Sequence, residues 1–88
     1  MNKKVYSFTK SHNLLNRIFD MMYYYKIIKD YKYKANTKKW LLQKLKDVDY
    51  VESLAKYFEL KLSKEKNIEV CCNLKDLIND LNYLKQYL

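Results

Sequence analysis

The chain has 88 residues, with 18 Lys and Arg against 10 Asp and Glu, ten tyrosines, and neither glycine nor proline. A domain of this length buries only about 60–65% of its unfolded surface, so its stability is modest unless its helices pack well or chains associate. The absence of glycine and proline disfavours phosphate-cradling Gly loops, dinucleotide-binding crossovers and tight type I′ or II turns, and favours long helices joined by short polar links.

Residues 1–10 read as a flexible N-terminal arm and 11–88 as a single helical domain. Ser7, Thr9, Lys10 and His12 interrupt any apolar stretch of the kind a secretory signal needs. Ser11 is a fair N-cap for a first helix. At 100° per residue, Leu14, Leu15, Ile18, Phe19, Met22 and Tyr25 fall on one face, and Asn16, Arg17, Asp20 and Tyr23 fall opposite. Beyond Tyr25 the apolar stripe rotates, because Lys29 and Lys32 intrude on the old face while Tyr24, Ile27, Ile28 and Tyr31 open a new one. The favoured reading carries the helix to about residue 33. Its competitor is a short strand near 31–34, where Tyr31-Lys32-Tyr33-Lys34 alternates with period two.

Thr37 is the expected cap of a second helix. Trp40, Leu41, Leu42, Leu45 and Val48 lead towards the stripe Val51, Leu54, Ala55, Phe58 and Leu62, which recurs at helical spacing. Residues 38–62 form one helix, or two with a turn at Lys46–Asp49, Asp49 and Glu52 making the capping pattern of the later one. Residues 63–69 read as a polar connector, with a short strand as an option near 68–71, where Ile68, Glu69 and Val70 alternate. Asn73 is placed to cap a last helix whose Leu74, Leu77, Leu81, Leu84 and Leu88 repeat as a heptad seam. The expected fold is therefore all-α, a small three- to four-helix bundle. The leucine seam closes its core, or serves as a partner-helix face for a second copy or another protein.

Charge is distributed unevenly. Residues 1–40 hold ten cations and two acids, Asp20 and Asp30, a net of +8, whereas residues 41–88 hold eight of each. Seventeen lysines to one arginine, with many Asn and Tyr, point to AT-rich coding sequence, of the kind carried by a phage, a virus, a mobile element or an AT-rich microbe. That bias accounts for lysine abundance but not for lysine position. An excess confined to one part of a chain suggests a polyanionic partner: nucleic acid, an acidic protein or an acidic membrane surface.

The densest stretch is YYYKIIKDYKYKANTKKW at 23–40. Lys26, Lys29, Lys32, Lys34, Lys38 and Lys39 supply ammonium groups that can replace counterions on phosphates. Tyr31, Tyr33 and Trp40 supply rings on which unpaired bases can stack. With Arg17 the sole arginine, phosphate positioning is expected to outweigh bidentate base reading on DNA or RNA. A helix-turn-helix over 38–62 is disfavoured by Asp49 and Glu52 at the end where a recognition helix meets bases.

No catalytic constellation assembles. His12 has no second histidine or paired cysteines at ligand spacing, so neither a metal nor another cofactor is expected. Cys71 and Cys72 read as free thiols, one facing in and one out. No apolar run approaches the length of a membrane span. The resulting expectation is a non-enzymatic, cytoplasmic, nucleic-acid-associated factor of a phage, virus or mobile element. The alternative is a helical interaction module, such as an inhibitor, immunity protein or adaptor, that docks on an acidic or nucleic-acid-handling partner.

Overall fold

Leu14, Leu15, Ile18, Phe19 and Met22 recur at the spacing of one helical face, and all are buried on helix α1, Lys3–Tyr24. The computed structural model describes residues 3–88, with side chains from Leu14 onwards. Residues 1–2 of the expected arm lie outside the described residues. α1 is already helical at Lys3, so Ser11 lies inside it and is not its cap.

The helix does not run on to residue 33. Lys26 adopts φ 62°, the left-handed conformation that usually ends a helix on glycine. Its amide donates to the Tyr23 carbonyl at 3.1 Å, and the Ile27 amide reaches back to the Met22 carbonyl at 2.9 Å. This paired 5→2 and 6→1 pattern is a Schellman turn, formed here without glycine. Stripe rotation in the sequence marks this reversal.

Asp30 then starts the chain again. Its side chain accepts from the Lys32 amide at 3.0 Å and caps a 3-10 turn at Tyr31–Tyr33. The turn feeds directly into helix α2, Lys34–Lys44. The strand option near 31–34 is thereby corrected, since the Lys32 amide is satisfied locally and residue 34 is helical. The cap expected at Thr37 is corrected too, as Thr37 sits within α2.

Helix α3, Val48–Lys64, is separate from α2, which settles the one-or-two question for 38–62. Asp47, two residues before the expected Asp49, is its N-cap and accepts from the Asp49 amide at 2.9 Å. Val51, Leu54, Ala55 and Phe58 form its buried stripe. Helix α4, Ile68–Lys85, follows a three-residue link at 65–67 and packs against α3 as a helical hairpin. The Asn67 side chain accepts from the amides of Glu69 and Val70, so residues 68–71 are the first turn of α4 and not a strand. Asn73, the expected cap, lies inside that helix.

The fold is all-α, with four α-helices and no strand among the described residues. The chain divides into two compact units, Met1–Leu42 and Gln43–Leu88. Buried side chains of the first include Leu14, Leu15, Ile18, Phe19, Met21, Met22 and Leu41. Those of the second include Leu45, Val51, Leu54, Phe58, Leu74, Leu77, Ile78 and Leu81. The unit boundary falls two residues after the charge boundary read from the sequence. The first unit therefore carries the whole net charge of +8, and the second carries none.

Candidate nucleic-acid interface

All nine basic and aromatic candidates lie in the first unit, on the 25–30 loop, the 3-10 turn and α2. Tyr31, Tyr33 and Trp40 are 47%, 52% and 49% exposed, so none of the three rings is committed to the core. Their polar surroundings follow from the local fold. In the 25–30 loop, which holds the left-handed Lys26 and ends at the Asp30 cap, Tyr25 and Ile28 are half-buried while Lys26 and Lys29 are exposed, as is Lys32 in the turn that follows.

The lysines are not equivalent. Lys34 is half-buried and held by its own unit. Its Nζ donates to the Tyr31 hydroxyl at 2.8 Å and lies 3.8 Å from the Asp20 carboxylate. The same ammonium sits 4.9 Å from the Tyr31 ring centroid and 5.4 Å from that of Phe19. The Tyr31 hydrogen bond is the main influence holding the Lys34 pKa above its ordinary 10.5; partial burial opposes this and the Asp20 carboxylate adds to it. Lys32 has a looser partner in Asp30, at 3.7 Å, and lies 5.2 Å from the Tyr33 ring centroid. Among the described residues, Lys26, Lys29, Lys38 and Lys39 have no ion-pair partner.

Those four lysines border two depressions. Lys38 and Lys39 line an open cleft of about 260 Å³ together with Leu15, Ala35 and Leu42. Lys26 and Lys29 flank a pocket of about 320 Å³ whose other walls are Tyr23 and Ile28. The sequence reading passed over Tyr23 and Ile28. One signal was available, since Tyr23 is an aromatic on the polar side of the α1 stripe. Phe19 also has a part in the site: its ring meets Tyr31 edge-on at 5.3 Å and runs parallel to Tyr23 at 6.4 Å, so a buried residue orders two surface rings.

On the second unit, Leu74, Leu77 and Leu81 of the leucine seam are buried, Leu84 is half-buried and Leu88 is exposed. Cys71 is half-buried with its thiol donating to the Glu65 carbonyl at 3.4 Å, and Cys72 is exposed. Both are free thiols. Among the described residues no group of three or more His, Cys, Asp or Glu is arranged to hold a metal ion, and no helix is long and apolar enough to cross a membrane. No protein-family model matches the chain, and no curated protein or solved structure is significantly similar to it.

Proposed function

We propose that this chain is a small, basic, non-enzymatic binding protein that associates with nucleic acid, as an accessory or regulatory factor of a phage, virus or mobile element acting in the cytoplasm of its host. One observation carries the reading. The whole excess charge belongs to one compact unit, and four of that unit's lysines have no acidic partner among the described residues. Unpaired ammonium groups on one small unit keep their counterions until a polyanion displaces them, and that release drives binding.

Lys26, Lys29, Lys38 and Lys39 are assigned the phosphates. Lys32 joins them by releasing Asp30, an exposed pair of little strength. Tyr33 and Trp40 are assigned to stacking, and Lys34 with Tyr31 to holding the surface in shape. The decisive measurement is fluorescence anisotropy with single- and double-stranded DNA and RNA across a salt series. Affinity that collapses between low and moderate salt supports the proposal; absence of binding at low salt ends it.

A second reading rests on the neutral unit. Leu60, Ile68, Tyr83, Tyr87 and Leu88 are exposed there, Ile68 at 80%, which suits a protein-interaction module or a self-associating α4. Light scattering at several concentrations tests the self-association directly. A purely monomeric chain that binds nucleic acid removes the need for it.

A further inference from the structure

The pocket at the end of α1 has the composition of a nucleotide subsite. It is lined by an aromatic and an aliphatic side chain, Tyr23 and Ile28, together with two cations, Lys26 and Lys29. The Tyr23 ring is 43% exposed yet held on two sides, parallel to Phe19 at 6.4 Å and edge-on to Tyr31 at 5.2 Å. A ring already fixed by its neighbours loses little freedom when a base stacks on it.

The electrostatics also favour an anion there. A helix C-terminus normally repels phosphate through its last carbonyls. Here the carbonyls of Met21, Met22 and Tyr23 are taken by the amides of Tyr25, Lys26, Ile27 and Ile28. The two acids of the unit have other partners, Asp20 the Lys34 ammonium and Asp30 the Lys32 backbone amide, which it keeps as cap of the 3-10 turn when the Lys32 side chain turns to phosphate. Lys26 and Lys29 thus line the pocket with no acidic partner among the described residues.

Size selects the form of nucleic acid. A cavity of about 320 Å³ is at the lower end of ligand pockets, roughly 300–1,000 Å³, and suits one flat ring system. A duplex hides its base faces inside the stack and offers such a site only phosphate and sugar. We infer that this pocket takes one unpaired base of a single-stranded nucleic acid against Tyr23, with the adjoining phosphates on Lys26 and Lys29. The inference rests on the nucleic-acid reading above and narrows it to single strands.

The test compares labelled oligothymidylate, oligouridylate and a duplex of equal length, by anisotropy at low salt, on the parent chain, Tyr23→Leu and Tyr23→Phe. The parent is expected to prefer the single strands. Tyr23→Leu should lower the single-strand-to-duplex ratio about five-fold or more, and Tyr23→Phe should retain it. The two single strands separate DNA from RNA as the source of the base. Equal affinity for single strand and duplex, unchanged by Tyr23→Leu, overturns the subsite while leaving the polyanion reading intact. No binding of any of the three overturns both. Since Tyr23→Leu removes ring contacts, uridine monophosphate is also titrated into the parent chain and followed by amide chemical shifts. Shifts centred on Tyr23, Lys26, Ile28 and Lys29 support the subsite. Shifts confined to Lys38 and Lys39, or none, count against it.

Discussion

The Lys34 ammonium donates a 2.8 Å hydrogen bond to the Tyr31 hydroxyl, and that contact ties the start of α2 to the turn before it. The Asp20 carboxylate on α1 lies 3.8 Å from the same ammonium. One lysine thereby connects three segments of the basic unit, and its charge is used internally. Lys34→Met keeps the apolar stem and removes the ammonium. The expected result is a lower melting temperature than for Lys38→Met, together with a smaller loss of nucleic-acid affinity. Thermal unfolding followed by circular dichroism, run beside anisotropy on both variants, reads the two effects. The reverse ranking would return Lys34 to the phosphate-binding set.

The same contact predicts a response to alkaline pH. A lysine whose folded pKa is raised contributes stability that is complete below its unfolded pKa and is lost as pH rises through the folded one. Tyr50, half-buried on α3, has a pKa raised by burial, because the buried phenolate loses hydration. An acid raised in the folded state has the same sign, since the unfolded chain sheds the proton first. Both groups make stability fall above about pH 10. Denaturant unfolding measured from neutral to strongly alkaline pH should show that decline, and Tyr50→Phe should make it shallower. A flat profile would contradict the assignment.

Lys26 is the residue that glycine would ordinarily replace. A left-handed backbone costs a side-chain-bearing residue about 1–2 kcal/mol, and glycine restores roughly 0.5–1 kcal/mol of that cost as unfolded-chain entropy. Lys26→Gly should therefore stabilise the chain by about 0.5–1 kcal/mol. It should weaken nucleic-acid binding at the same time, because one of the two cations lining the Tyr23 pocket is lost. Opposite signs in the two measurements distinguish this outcome from simple damage to the fold.

The apolar stripes of α1 and α3 were legible, because Leu14 to Met22 and Val51 to Phe58 repeat at a spacing only a helix brings to one side. The helix boundaries were not. Ser11, Thr37, Asp49 and Asn73 are as good on paper as Asp30, Asp47 and Asn67. Which of them caps is decided by whose side chain reaches a free amide, as Asn67 reaches Glu69 and Val70. The end of α1 carried no glycine to announce it. Counting charges located the basic unit, but counting cannot pair Lys34 with Asp20, which the reversal between α1 and α2 brings together.

The leucine seam offers a contrast between two of its members. Leu77 is 1% exposed and Leu88 is 47% exposed. Truncating a buried leucine removes its transfer free energy and leaves a cavity, so Leu77→Ala should cost about 2–5 kcal/mol. Leu88→Ala should change stability by about 0.5 kcal/mol or less. If the seam belongs to the core, the Leu77→Ala loss is the same at every protein concentration. A loss that shrinks as the protein is concentrated would show the seam serving between copies.

Salt dependence separates the roles assigned to the lysines and the rings. Each phosphate contact contributes about 0.7 to the slope of log affinity against log salt on a single strand, and about 0.9 on a duplex. Lys38→Gln and Lys39→Gln should each make the slope shallower by about that amount, since neither has an ion-pair partner among the described residues. Lys34→Met should change it by clearly less, because Asp20 already balances that charge. Trp40→Leu removes no charge, so the slope should stay constant while affinity for a single strand falls by about 1–3 kcal/mol. Anisotropy isotherms at four or more salt concentrations for each variant supply the slopes. A Trp40→Leu chain that binds as tightly as its parent would leave the surface its lysines and take away that stacking ring.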